Sequence, residues 1–482
     1  MFQRITTRSF SRAGLEAVAA LLFVSVVAGA PEATESRRLT LEDLLSVEPI
    51  GETALSPDGK TIAFNREGQI VLMPSAGGWP VTLTSSAGGK SGLSWSPDGK
   101  FIAFASQGSI WTVAVTGGQP RRLTRSLPGE GDPRQSSDRD PHWSPKGGWI
   151  LFETGRRGHG DLAVVSEDGL SENILTRTRA DASGGAWSPD GERIAYTERA
   201  PSYFSGKLNV VRFDPQSGRA QEPLTLYTSP NDRGGGWSIR RPHWSPDGRL
   251  LAVVLQDSGW DNVYLIPTAG GAPKPLTRGE QEDLDPAFSP DGKSIAIVSN
   301  RRAPEESHIW IVPIDGSQAR PLTHFSTPGV ESAPQWAPDG SSLYFHRSSP
   351  LESADLLVAE VSGKSDPRYL THTLPKNFEG VLQVPERVQY HSKDGLPIAA
   401  LLYKPRDSKP DAKHPAVLWI HGGPESQDAF RLDVWAQYLA QQGYLVLEPN
   451  YRGSSGYGEK FRNLNVEDSG GGEMDDVAAG AQ

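Results

Sequence analysis

Trp95-Ser96-Pro97-Asp98-Gly99-Lys100-Phe101-Ile102-Ala103-Phe104 is the passage that decides the fold, because the chain repeats its grammar seven times. A Ser-Pro-Asp-Gly-like tetrapeptide begins at Ser56, Ser96, Ser144, Ser188, Ser245, Ser289 and Ala337. Trp or Phe precedes six copies (Trp95, Trp143, Trp187, Trp244, Phe288, Trp336), and Leu55 precedes the first. An apolar strand follows each, then a second short strand such as Ser109 to Val113 or His308 to Val312. Each unit closes on Leu-Thr, at Leu83, Leu123, Leu175, Leu224, Leu276, Leu322 and Leu370. Proline pre-sets φ for the second turn position, Asp tolerates the third, and Gly takes the left-handed conformation that re-enters a strand.

The units start about 40 to 57 residues apart, a length that suits a four-stranded antiparallel sheet with hairpin turns. One such sheet cannot bury both faces, whereas radial stacking of several does so and leaves only short edges. The sequence therefore predicts a seven-bladed β-propeller from Gly51 to about Pro385, with an eight-bladed closure as the alternative. His142 and His243 fill the same slot of two Pro-His-Trp-Ser-Pro units, which reads as a structural position rather than a metal site. The acidic stretch Glu280 to Asp285 reads as a polar loop between blades.

Composition agrees with a turn-rich soluble protein. Of 482 residues, 52 are Gly and 39 are Pro, the formal charge is −10, and Cys is absent. The negative balance argues against non-specific binding to nucleic acid or anionic lipid. Without cysteine there is no disulfide and no thiolate metal site. Arg4, Arg8 and Arg12 precede an apolar run from Ala17 to Ala30 that ends in Ala28-Gly29-Ala30. Residues 1–30 are thus expected to be a signal peptide, with export to a periplasm or beyond and no membrane attachment after cleavage. The run falls short of the roughly 20 residues that a spanning helix needs. Residues 31–50 form a lead-in segment.

From about Glu386 the periodicity breaks. Val388 to Lys404 reads as two strands around the turn Ser392 to Gly395, and Ala416 to Ile420 as a buried strand leading into His421-Gly422-Gly423-Pro424. A helix is expected next, with Leu432, Trp435, Ala436 and Leu439 on one face and Gly443 as its stop. A strand from Tyr444 to Leu447 and the loop Pro449 to Gly458, containing Asn-Tyr-Arg-Gly-Ser-Ser-Gly-Tyr-Gly, complete a strand–helix–strand pattern. That pattern predicts the N-terminal part of an α/β sheet, residues 386–482. Glycines after a buried strand let a backbone N–H approach closely the place where oxyanion charge develops.

In this order, the lead-in Leu39 to Pro49, the repeats, Val384 to Pro405, His-Gly-Gly-Pro and the Asn450–Gly458 loop resemble the prolyl oligopeptidase family of serine peptidases. The wording is nearest its acylaminoacyl-peptidase and dipeptidyl-peptidase-like branches, and the repeats also resemble those of TolB. The resemblance implies an all-β seven-bladed propeller followed by the N-terminal part of an α/β-hydrolase domain. It implies peptide substrates, an acyl-enzyme and no metal or organic cofactor. Carried over, the Gly423 N–H would serve the oxyanion. His421 takes a place that some relatives give to an oxyanion-stabilising tyrosine. Tyr451 and Arg452 would wall the active site.

The chain departs from the family in one respect: none of its residues forms a Gly-x-Ser-x-Gly elbow, so the Ser/Asp/His triad is absent from it. Gly453-Ser454-Ser455-Gly456 lacks the five-residue elbow and its strand. The family's next helix would begin near Gly472. The resemblance therefore implies a fragment, with on the order of 150 to 200 further residues needed to finish the sheet. Residues 1–482 alone are expected to be inert towards peptides and esters, and residues 386–482 to be cut by proteases before the propeller. A non-catalytic TolB-like propeller that binds a protein partner in the cell envelope is the rival reading, and an esterase is a third.

Overall fold

The computed structural model describes residues 37–125, 137–199, 206–229, 239–406, 409, 412–423, 425–468 and 470–482. The expected signal peptide and Pro424 lie outside them. The description below concerns the unit Leu39–Gln482.

Seven antiparallel sheets follow one another in sequence, each built from consecutive strands. Their first strands begin at Thr53, Ser91, Asp138, Asp181, His243, Asp283 and Val330. The fourth sheet carries an extra strand, Leu224–Thr228, beside its third. Arg241, just before the first strand of blade 5, donates to Asp140 and His142 on the first strand of blade 3, so this histidine slot is engaged in an inter-blade polar contact. His142 Nε2 also lies 3.1 Å from Asp140 Oδ1 of its own blade. The seven-bladed prediction holds.

The tetrapeptide turns work as their chemistry predicts. In the first, Gly59 N–H donates to Ser56 O (2.8 Å) with Gly59 at φ +71°. Ser56 Oγ donates to Asp58 Oδ1 (2.7 Å) and accepts from Thr61 N–H (2.9 Å), closing the turn onto the second strand. The same Ser–Asp lock recurs at Ser96, Ser188, Ser245 and Ser289. Hydrogen bonds from Ser96 Oγ and the Lys100 N–H hold the Asp98 carboxyl down at about 2. Four of the preceding indoles reach back one blade, donating to Ala54, His142, Ala186 and Ala287 carbonyls from Trp95, Trp187, Trp244 and Trp336. The closing Thr receives the second N–H of the third strand, as Thr84 does from Ile70 (3.0 Å) and Thr277 from Val263 (2.9 Å).

Alternation along the second strand then fills the interfaces between blades, because successive side chains point to opposite faces. Ile102 and Phe104 pack with blade 1, and Ala103 with blade 3. Ile194 and Tyr196 face blade 3 while Ala195 faces blade 5, and Ile295 and Ile297 face blade 5 while Ala296 faces blade 7. In blades 1, 2, 4, 5 and 6 large residues look backward and alanine forward, which joins a shallow face to a bulky one, whereas blade 7 turns Tyr344 forward onto blade 1. Blade 3 breaks the rule with Leu151, and blade 4 answers with Gly185, where a Cβ would stand 2.8 Å from Leu151 Cδ2. The ring closes without a shared strand. Gln335 of blade 7 donates to Thr53 O (2.8 Å) and accepts from Leu55 N–H (3.1 Å), over a core of Ile62, Phe64, Val71, Met73 and Leu356.

After the ring, Glu386–His391, Pro397–Tyr403, Leu445–Asn450 and Ala416–Leu418 pair in that spatial order, the last pair parallel. The edge strand is shorter than the sequence suggested and is not buried: Ala416 is exposed, Val417 and Leu418 are half-buried, and Trp419 and Ile420 beyond it are partly exposed. The strand expected at 444–447 runs on through Asn450, because Ala399 and Ala400 pair with Asn450 and Pro449. The helix Val434–Gln441, capped by Asp433, buries Ala436, Gln437 and Ala440 rather than Trp435, which is 45% exposed. The polar Gln437 is inside because it donates to Pro350 O (3.0 Å) and Gln383 O and accepts from Gln383 N–H, tying the helix to blade 7.

Candidate functional site

The loop that follows Ala416–Leu418 and the loop that follows Leu445–Asn450 interlock. Parallel pairing of these two strands brings His421 beside Tyr451: the rings stack with centroids 4.5 Å apart and planes 17° from parallel. Tyr451 Oη donates to His421 O (2.8 Å). His421 Nε2 lies 3.0 Å from Ser454 Oγ, and Nδ1 lies 3.0 Å from Gly422 O. Ser454 is fully buried and its Oγ lies 2.6 Å from Tyr451 O. Burial lowers the His421 pKa below the usual histidine value.

Gly423 ends this cluster at φ +134°, a conformation that disfavours any side chain, and a Cβ there would stand 2.7 Å from Glu425 N. Its residue is exposed, and its N–H makes no hydrogen bond among the described residues. The position suits a backbone donor facing an open site.

Arg452 is placed differently from the other three candidates. Its backbone N–H and guanidinium both bind Asp476, with Nη2 to Oδ1 at 2.7 Å, and Nη2 also lies 2.9 Å from Asp394 Oδ2. Asp476 is fully buried on the helix Gly472–Gly480. Arg452 therefore clamps that helix and the turn 392–395 to the sheet. The two carboxylates hold its pKa above the usual arginine value.

The remainder of the Asn450–Gly458 loop seats the segment on the propeller. Asn450 Nδ2 donates to Asp428 O and Tyr457 Oη (both 2.9 Å), and Tyr457 Oη donates to Glu305 Oε1 (2.6 Å). Gly456 N–H donates to Glu282 Oε1 (2.9 Å), and Asn300 Nδ2 donates to Gly456 O (3.0 Å). Gly458 abuts Trp260, where a Cβ would stand 2.9 Å from the indole. Glu282 is pushed up to about 7 by burial and by Asp261 beside it. Asp428 is likewise pushed up to about 7 by burial and by Asp433. The acidic stretch 280–285 thus contains a docking contact, which composition alone did not reveal. Ser454, Asp476 and Glu282 were invisible as partners in the sequence, since each acts across 24 to 174 positions.

Fold and loops together define a propeller protein whose chain continues into a hydrolase-type sheet. The TolB beta propeller domain matches residues 47–239 and 236–377, and the prolyl oligopeptidase family matches residues 430–482. The chain belongs to the TolB beta propeller domain family over residues 47–377, and its end is similar to the prolyl oligopeptidase family. It is 26% identical over 448 residues to the uncharacterized peptidase YuxL of Bacillus subtilis, covering 70% of this chain and 65% of that one. It is 26% identical over 301 residues to dipeptidyl-peptidase 5 of Porphyromonas gingivalis, covering 50% of this chain and 43% of that one. The chain thus spans less than two thirds of either relative. Among solved structures, a puromycin-hydrolyzing peptidase of Mycobacterium tuberculosis has a TM-score of 0.75 at 18% identity, covering 90% of this chain and 70% of that one. A puromycin hydrolase has a TM-score of 0.74 at 22% identity, covering 93% and 71%. At these identities the structures speak for the fold.

Proposed function

We propose that this chain supplies the propeller and the first part of the catalytic half of an exported serine peptidase that cleaves oligopeptides through an acyl-enzyme. The observation that carries the reading is the exposed, unbonded Gly423 amide on a loop that directly follows a parallel strand. In acyl transfer, attack on the scissile carbonyl places negative charge on its oxygen, and a fixed backbone N–H stabilises that charge without reorganising. Gly423 would contribute one such donor. His421 would act through the backbone it holds, and Tyr451 through the imidazole it stacks on. The propeller docks beside this loop through Glu282, Asn300 and Glu305, an arrangement suited to limiting access by large folded substrates. The relatives named as dipeptidyl peptidases and peptidases support peptides as the substrate class. Arg4, Arg8, Arg12 and the apolar run to Ala30 support export.

Residues 1–482 hold no elbow serine, and so we propose that they do not cleave by themselves. A fluorophosphonate probe tests this on cell and exported fractions of a host expressing two forms. Residues 1–482 should remain unlabelled. A polypeptide extended through the downstream reading frame should be labelled, in the exported fraction, at a glycine-flanked serine. Labelling of the shorter form, or none of the longer, overturns the reading. In the second case the TolB-type repeats over residues 47–377 favour a propeller that binds a protein partner.

A further inference from the structure

Gly423 stands on a short loop that is anchored at both ends, and the two anchors belong to different parts of the molecule. Upstream, His421 is held within its own segment by the stack on Tyr451 and by the Tyr451 Oη bond to its carbonyl. Downstream, four positions after Gly423, Gln427 Nε2 donates to Pro304 O (2.8 Å). Phe430 N–H then donates to Glu305 O (3.0 Å). Pro304 and Glu305 lie in blade 6, between its strands Ser294–Ser299 and His308–Pro313. Consecutive glycines at 422 and 423 give the stretch between the anchors little stiffness of its own. Its course is therefore set by where its ends are fixed.

Glu305 does more than accept from Phe430. Its carboxylate is fully buried, accepts from Tyr457 Oη (2.6 Å) on Oε1, and has Oε2 2.9 Å from Arg387 Nε. Tyr457 belongs to the loop after the strand Leu445–Asn450, and Arg387 to the strand Glu386–His391. One propeller residue thus meets three separate stretches of the later segment. Left unpaired, a carboxylate in this interface would be strongly unfavourable, so the contacts hold together. Burial and the charge of Glu305 push the Tyr457 hydroxyl above the ordinary tyrosine range, which keeps it a donor. Asn450 Nδ2 donates to Tyr457 Oη and to Asp428 O, and Asn450 Oδ1 accepts from Asp428 N–H (2.8 Å). Ser455 N–H donates to Ser426 O (3.0 Å). The path from Glu305 to the Gly423 loop is hydrogen-bonded throughout.

We infer that Glu305 is a positioning residue: through Tyr457, Asn450 and Phe430 it fixes the downstream end of the Gly423 loop, so that the amide is aimed only while the propeller is seated. The inference rests on reading Gly423 as an oxyanion donor. It gives the propeller a share in building the site as well as in screening access to it.

Hydrogen exchange on residues 1–482 reads this brace without any catalysis. In E305A, residues 425–430 and 453–458 should exchange roughly tenfold faster, while the blade 6 strands 294–299 and 308–313 keep their rates. E305Q, whose amide oxygen still accepts from Tyr457, should stay near the wild type. Q427A, which removes the bond to Pro304 O, should speed residues 425–430 about threefold. Unchanged loops in E305A, or equal acceleration of loops and blade strands, overturn the brace. Acceleration in E305Q equal to that in E305A also overturns it. If E305A fails to fold, unchanged exchange of residues 425–430 in Q427A decides against it. Because exchange needs no nucleophile, failure of the brace is distinct from failure of the peptidase reading, which is decided by probe labelling.

Discussion

The propeller and the segment after Glu386 solve the same problem in opposite ways. Each blade closes its turns with nearby partners and repeats them, Ser56 on Asp58 and Thr61 and Thr84 on Ile70 within 14 positions, while its indole reaches one blade back at a repeated place. The later segment satisfies its polar groups across the molecule, with Arg452 on Asp476, Gln437 on Pro350 and Gly456 on Glu282. Local satisfaction can be copied, and so the propeller is a repeat. Long-range satisfaction is made once for one place, and its loss has no substitute nearby.

The contrast is most exposed at Arg452. Arg452→Ala leaves the buried Asp476 without its cation, with the backbone N–H of residue 452 still donating to it, which should cost about 3 kcal/mol. The loss should be local: hydrogen exchange of residues 472–480 accelerates, and proteolytic cuts appear after residue 386 while the blades keep their protection. Uniform loss of protection in both regions would erase the distinction.

Inside the ring, the compensating pair should show how independent the blades are. Leu151→Ala removes a buried side chain and should cost about 2 to 4 kcal/mol. Gly185→Ala should destabilise the wild type, because its Cβ meets Leu151, and cost less in the Leu151→Ala background, where only Leu162 at 3.1 Å must still give way. Urea denaturation of the four proteins gives the coupling. Additive effects would mean that the two blades do not share the space.

A smaller effect is expected at the junction, as a pH dependence. Glu282 titrates near 7 in the folded protein against an ordinary value of 4.5, because burial and Asp261 oppose its charge, while Arg462 and Arg240 favour it. A carboxyl raised in this way contributes stability that is full below about pH 4.5 and fades as pH rises through 7. Glu282→Gln keeps the acceptor for Gly456 N–H and removes the titration. The difference in unfolding free energy between pH 5 and pH 8 should therefore shrink in the variant, by on the order of 2 kcal/mol. An unchanged difference would place the titrating group elsewhere.

These three regions also mark how far the sequence could be read. The seven blades were legible because a turn such as Ser96 to Gly99 fixes its own geometry and is spelled out repeatedly. The rule that alanine faces forward was legible only as a strand pattern, since facing partners lie a blade apart. In the later segment the order strand, glycine loop, helix, strand was plain, and of the expected helix face Leu432, Ala436 and Leu439 pack inward while Trp435 does not. Periodicity favoured Trp435, whereas hydrogen bonding to Pro350 and Gln383 drew Gln437 inward. His421, Gly423 and Tyr451 were found as motifs, and the parallel pairing of their strands brings them together. Arg452 was read as a wall residue, and the partner that determines its role, Asp476, lies 24 positions away with nothing in the sequence to link them.

The lead-in segment, with its short helix Leu41–Ser46, carries one more implication, for biogenesis. Leu39 N–H donates to Gln441 Oε1 at 2.7 Å across 402 positions, and Leu39 and Leu44 share a core with Phe378, Val381 and Leu382. A ribosome delivers the lead-in 402 positions ahead of its partner. Blades can form one after another as they emerge, but this clasp waits until the helix Val434–Gln441 has arrived, and so it closes only after all seven blades have been made.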